Sequence, residues 1–127
     1  MIFRLTFQNH VRPELRRWRA TLGDTPAEQR EWFHTLIGVM TDHLRRHGGR
    51  PPDAVLDPEG NGSAYWWWFA NLVLIRYRVD ESPPRPRGWW DVPAYIARLV
   101  RPRRVTVTVV TWAPAPGRPA DRGLLPG

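Results

Sequence analysis

Arginine carries most of the chemistry this sequence offers. Residues 76–104 hold eight arginines, Arg76, Arg78, Arg85, Arg87, Arg98, Arg101, Arg103 and Arg104, against Asp80, Glu81 and Asp91. Side chains alternate along a strand, so Arg76 and Arg78 fall on one face, while Arg103 and Arg104 stand at the entry to a later strand. Neighbouring strands would turn these four into a patch suited to catalysis on a phosphodiester. A guanidinium fork matches phosphate oxygens and can stabilise charge that develops on phosphorus. The plainer reading is a solvated sheet face whose arginines pair with local carboxylates.

Aromatic residues sit beside these arginines in the sequence. Trp66, Trp67 and Trp68 are consecutive, so a sheet covered on one face cannot bury all three. With Ala70-Asn71 as a two-residue turn, Trp68 faces Val73, Trp66 faces Ile75 and Ala64 faces Tyr77. Tyr65 and Trp67 then share the side of Arg76, an arrangement suited to stacking on bases. Core packing of Trp67 is the competing reading. Together with Arg85, Arg87, Arg98 and Arg101, these two aromatics form the expected nucleic-acid-binding set.

Other chemistries find little support. His43 and His47 are four apart on a helical segment, but no further ligand follows at metal-binding spacing, and no metal or cofactor is expected. No close carboxylate pair sits in an apolar setting, and there is no glycine-rich phosphate loop or nucleophile elbow.

The elements that must position these residues follow from periodicity. Phe3, Leu5 and Phe7 alternate with polar residues, which predicts a first strand over residues 2–7. A helix is expected over 11–22, with Leu15, Trp18 and Leu22 inward. Thr25-Pro26-Ala27-Glu28 is a capping box that opens a second helix, in which Trp32, Phe33, Leu36, Ile37, Met40 and Leu44 recur at helical spacing. Gly48-Gly49 and Pro51-Pro52 end it. A meander should follow, with strands near 53–56, 64–69 and 72–79. A short helix over 92–100 is expected to turn Tyr95, Ile96 and Leu99 inward. The last strand, 103–112, places Val105, Val107 and Val109 on one side and Thr106, Thr108, Val110 and Trp112 on the other. The expected fold is therefore α+β: an N-terminal strand and a helical hairpin packed on a mostly antiparallel sheet, with a short extra helix before the last strand. It spans residues 1–112, and the proline- and glycine-rich residues 113–127 are expected to be an unstructured tail.

Composition bounds the setting. All 19 basic residues are arginine, the net charge is +7 and no cysteine is present. Excess positive charge favours polyanionic partners, and the absence of cysteine suits a reducing compartment. The N-terminus shows no secretory leader pattern, and the longest apolar run, 64–75, is short of the roughly 20 residues a bilayer needs. A cytoplasmic location with no membrane partner is expected.

The stretch from Phe69 through Ile75-Arg76-Tyr77-Arg78-Val79-Asp80 to Glu81, set behind a strand and a helical hairpin, resembles the RelE/ParE toxin superfamily, the toxin halves of bacterial toxin–antitoxin pairs. The resemblance covers residues 1–80 and 103–112. It implies cleavage of messenger RNA on the ribosome by attack of the RNA's own 2′-hydroxyl, with Arg76, Arg78, Arg103 and Arg104 orienting the strand and stabilising charge. It also implies an acidic antitoxin as partner. Ala70 stands where the family prefers glycine, the chain has no lysine, and no histidine follows His47. An inhibitor of a DNA topoisomerase in the manner of ParE, or an arginine-rich nucleic-acid-binding accessory protein, are the alternatives.

Overall fold

The computed structural model describes residues 2–82, 88–98 and 103–116. In chain order the elements are β1 (Ile2–Phe7), α1 (Arg12–Ala20), α2 (Pro26–Arg46), β2 (Val55–Leu56), β3 (Ala64–Phe69), β4 (Val73–Ser82), α3 (Val92–Arg98) and β5 (Arg104–Pro114). The expected class is observed. The five strands make one mixed sheet in the order β1-β5-β4-β3-β2, in which only β1 and β5 run parallel.

Local signals explain the helical hairpin. The Thr25 hydroxyl accepts from the Glu28 amide at 3.2 Å, while the Glu28 carboxylate reaches back to the Asp24 amide at 3.1 Å, one residue earlier than in a standard capping box. At the far end Gly48 and Gly49 take φ of 60° and 83°, and the Gly49 amide closes on the Leu44 carbonyl at 2.7 Å. A side chain at Gly49 would also crowd Val107 and Val79, whose methyl carbons lie 3.0 and 3.1 Å from where its Cβ would stand. Glycine therefore ends the helix and lets the chain cross closely over the sheet.

The core lies between this hairpin and one sheet face. Leu15, Trp18 and Leu22 from the first helical segment and Leu36, Met40 and Leu44 from α2 join Val73, Ile75, Tyr77, Val79, Val105, Val107 and Val109. Each such side chain stabilises the fold by about 1.5–3 kcal/mol through removal from water. Trp32, Phe33 and Ile37 are half-buried at the margin.

Two register features overturn expected side-chain directions. The β3–β4 turn places Ala70 and Asn71 in the left-handed region, at φ of 50° and 57°, and spends Leu72 in the loop as well. Phe69 pairs with Val73, Trp67 with Ile75 and Tyr65 with Tyr77. This differs from the expected pairing by one residue, which exchanges the faces of β3. Second, β5 bulges where Arg76 pairs with Thr111 but Tyr77 pairs with Val109. Val110 is the extra residue, and beyond it the alternation reverses. Trp112 thereby turns into the core against Trp18 and Phe7, at ring separations of 5.1 and 6.1 Å, instead of sharing a face with Thr106 and Thr108.

Two end effects were also not anticipated. β5 runs to Pro114 because Ala113 and Pro114 pair with Leu74 and Val73, so the start of the expected tail is strand. Ile96 of α3 is 58% exposed instead of inward, Tyr95 is half-buried, and Leu99 lies outside the described residues. Among the described residues no helix is long and apolar enough to cross a membrane.

The buried Tyr77 hydroxyl donates to the Gly49 carbonyl at 2.7 Å, tying β4 to the end of α2. Burial raises its pKa well above the ordinary 10.0, with a smaller contribution from Tyr65. A raised folded-state pKa contributes stability that is complete below about pH 10 and is lost as the pH climbs towards the folded value. Thermal melts across this range should show a steep alkaline fall that Tyr77→Phe flattens, from a lower starting stability because the bond to Gly49 is gone.

Candidate nucleic-acid interface

Residues paired across strands share a face, so the register defines the side of the sheet away from the helices. Trp66 stands opposite Arg76, Trp68 opposite Leu74 and Ala64 opposite Arg78. Arg78 pairs onward with Thr108, Asp80 with Thr106 and Ser82 with Arg104. Thr106 and Thr108 pair in turn with Arg4 and Thr6 of β1. Of these side chains only Ala64 is buried, and Trp68 is 50% exposed.

The four arginines expected to act together divide. Arg76 is immobilised: its Nε donates to Asp57 Oδ2 at 2.6 Å and its Nη2 reaches the same oxygen at 2.5 Å. Asp57 is buried at 4% exposure, and its other oxygen accepts the Glu59 amide at 3.0 Å. The Arg76 guanidinium also lies 5.7 Å from the centre of the Trp66 ring, within cation–π range. Arg78 is exposed and makes no ion pair with another described residue. Arg104 shares the face four residues along β5 from the partner of Arg78, about 13 Å away at strand rise.

Arg103 belongs to the opposite side. It lies 3.4 Å from Glu81, whose side chain is 6% exposed and which also binds Arg50. Arg50 in turn donates to the Tyr65 hydroxyl at 2.9 Å. Burial alone would lower the Arg50 pKa, but the hydrogen bonds to Glu81 and Tyr65 and the charge attraction to the same two groups together outweigh it, and the net shift is upward. This cluster pins the end of β4 beneath the link from α2 to β2. It is a structural use of Arg103.

Tyr65 and Trp67 also lie on the helix side, as the exchanged register of β3 requires. Tyr65 stacks on Tyr77 at 5.7 Å. Trp67 is 3% exposed and lies parallel to His43, with ring centres 5.4 Å apart. The indole beside the arginines is Trp66. The His43 and His47 rings are 4.8 Å apart, and among the described residues no group of three His, Cys, Asp or Glu side chains forms a metal site. Arg85, Arg87 and Arg101 lie outside the described residues. Arg98 closes α3, and its side chain is likewise outside the description.

The open face contains a cleft of about 380 Å³ lined by Gln8, Glu59, Asn61, Ser63, Arg76 and Arg78, with Ala64 and Val110 as apolar surface. No family model, curated protein or solved structure matches this chain.

The wall of the cleft is the turn between β2 and β3. The Gly60 amide bonds to the Asp57 carbonyl at 3.1 Å, and the Ser63 amide to the Gly60 carbonyl at 3.0 Å. Gly60 has no room for a side chain, since its Cβ would stand 2.2 Å from that of Ala64. The sequence Asp57-Pro-Glu-Gly-Asn-Gly62 reads as turn chemistry alone. The structure adds that Asp57 fixes Arg76 and that Glu59 lines the cleft. Chemically, the site offers one fixed and one exposed guanidinium, neutral hydrogen-bonding groups, a carboxylate and an adjacent indole.

Proposed function

We propose that this chain binds a single strand of RNA across the open sheet face and acts as the toxin of a bacterial toxin–antitoxin pair directed at RNA on the ribosome. The observation that carries the reading is one cleft lined by an exposed Arg78 with no ion-pair partner among the described residues and by a fixed Arg76, whose guanidinium lies over the neighbouring Trp66 ring. Guanidinium groups supply phosphate recognition, and an indole supplies a surface on which any base can stack. The resemblance to RelE/ParE proteins narrows this to toxin action. In an endonucleolytic role the 2′-hydroxyl would attack phosphorus, with Arg76 and Arg78 holding the strand and stabilising charge.

One observation favours the second reading, a non-cutting inhibitor of a topoisomerase in the manner of ParE. Among the described residues lining the cleft, the Glu59 carboxylate has no histidine, lysine or tyrosine beside it to serve as the acid partner that cleavage needs. Inducible expression in a bacterial host separates the readings. Growth arrest with new messenger RNA 5′ ends is the expected result. Arrest with intact messenger RNA and DNA damage would establish the inhibitor, and salt-dependent nucleic-acid binding without arrest would leave an accessory protein.

A further inference from the structure

Among the described residues that line the cleft, Glu59 is the one carboxylate, and its side chain has no part in holding the fold. Neighbouring Asp57 is consumed by Arg76 and by the turn, whereas among the described residues only the backbone amide of Glu59 enters a hydrogen bond, and its side chain is exposed. A carboxylate beside a surface that receives a polyanion opposes binding unless it meets a donor. In a nucleic-acid strand the phosphates offer none. The sugar of RNA offers one at every residue, the 2′-hydroxyl, next to the phosphate and independent of the base.

The cleft is on the scale of one nucleotide, with guanidinium groups and the Glu59 carboxylate in the same recess. We infer that Glu59 is a specificity-determining residue: it accepts a hydrogen bond from the 2′-hydroxyl of a ribonucleotide whose phosphate lies on Arg76 and Arg78. The same carboxylate penalises DNA, which brings the phosphate charge without the donor. This inference rests on the reading of the open face as an RNA-binding surface.

The test is fluorescence anisotropy at fixed salt with labelled oligouridylate and oligodeoxyuridylate of one length, on the wild type, Glu59→Ala and Glu59→Gln. The wild type should prefer the ribose form by about tenfold, the scale of one charge-assisted hydrogen bond. Glu59→Ala should remove the preference, chiefly by improving binding of the deoxy form. Glu59→Gln keeps an acceptor oxygen without the charge and should retain part of the preference while binding both polymers more tightly. Equal wild-type affinities, or a preference unchanged in Glu59→Ala, would overturn the role of Glu59 and leave the binding face standing. Failure of the wild type to bind either polymer would overturn the binding face as well. Because the Glu59 side chain supports no hydrogen bond among the described residues, both variants should melt with the wild type, which a thermal scan checks.

Discussion

Arg78→Ala is expected to abolish growth arrest on expression and to weaken binding of oligouridylate by tenfold or more, without unfolding the protein. Arg78 is exposed and has no ion-pair partner among the described residues, so its removal should change stability by no more than about 0.5 kcal/mol. A charged hydrogen bond to phosphate is worth roughly 1.5–3 kcal/mol, and losing one phosphate contact should also lower the salt slope of binding by about one. Arg103→Ala is the informative contrast. Arg103 helps Arg50 to neutralise the buried Glu81 on the helix side of the sheet. Its loss should cost about 1 kcal/mol, a modest figure because the pair is 3.4 Å long and Arg103 is 41% exposed, and RNA binding should hardly change. Growth assays, anisotropy with a salt titration and thermal melts on the two variants decide the matter. If Arg103→Ala abolished binding and Arg78→Ala did not, the active surface would lie on the other side of the sheet.

Trp112→Ala is expected to be the most damaging single change to stability. It removes a side chain that is 4% exposed and that packs edge-on against Trp18 and Phe7. Truncation of a buried aromatic costs about 3–5 kcal/mol, a large share of the roughly 5–15 kcal/mol that holds a domain together. Chemical denaturation of the variant should show an early midpoint or no cooperative transition. Trp68→Ala is the matched control, because Trp68 is half-exposed on the open face and its loss should cost under about 1 kcal/mol. The comparison tests the β5 bulge directly. Without the extra residue at Val110, Trp112 would lie on the open face and the two variants would be similarly mild.

The sequence by itself determined the class of the fold and most element positions. Strong local chemistry stood at each boundary: the Thr25 cap, the Gly48-Gly49 stop, and the alternation of Phe3, Leu5 and Phe7 and of Val105, Val107 and Val109. These signals act over a few residues and need no distant partner. The charge of the chain and the arginine content of residues 76–104 were equally plain from composition. The tertiary structure alone decided which residues meet. One additional loop residue, Leu72, moved Trp67 into the core and Tyr65 against it, and put Trp66 beside Arg76. One extra strand residue, Val110, did the same for Trp112. A strand alternates with period two, so a shift of one residue exchanges its faces, and propensity does not register such a shift. The partners of charges were just as hidden. Arg76 finds Asp57 across a turn and Arg103 finds Glu81 across a strand pair, contacts set by three-dimensional proximity and by the need to neutralise buried carboxylates. Of two arginines that look alike in the sequence, Arg103 is thus committed to the fold while Arg78 is exposed with no ion-pair partner among the described residues.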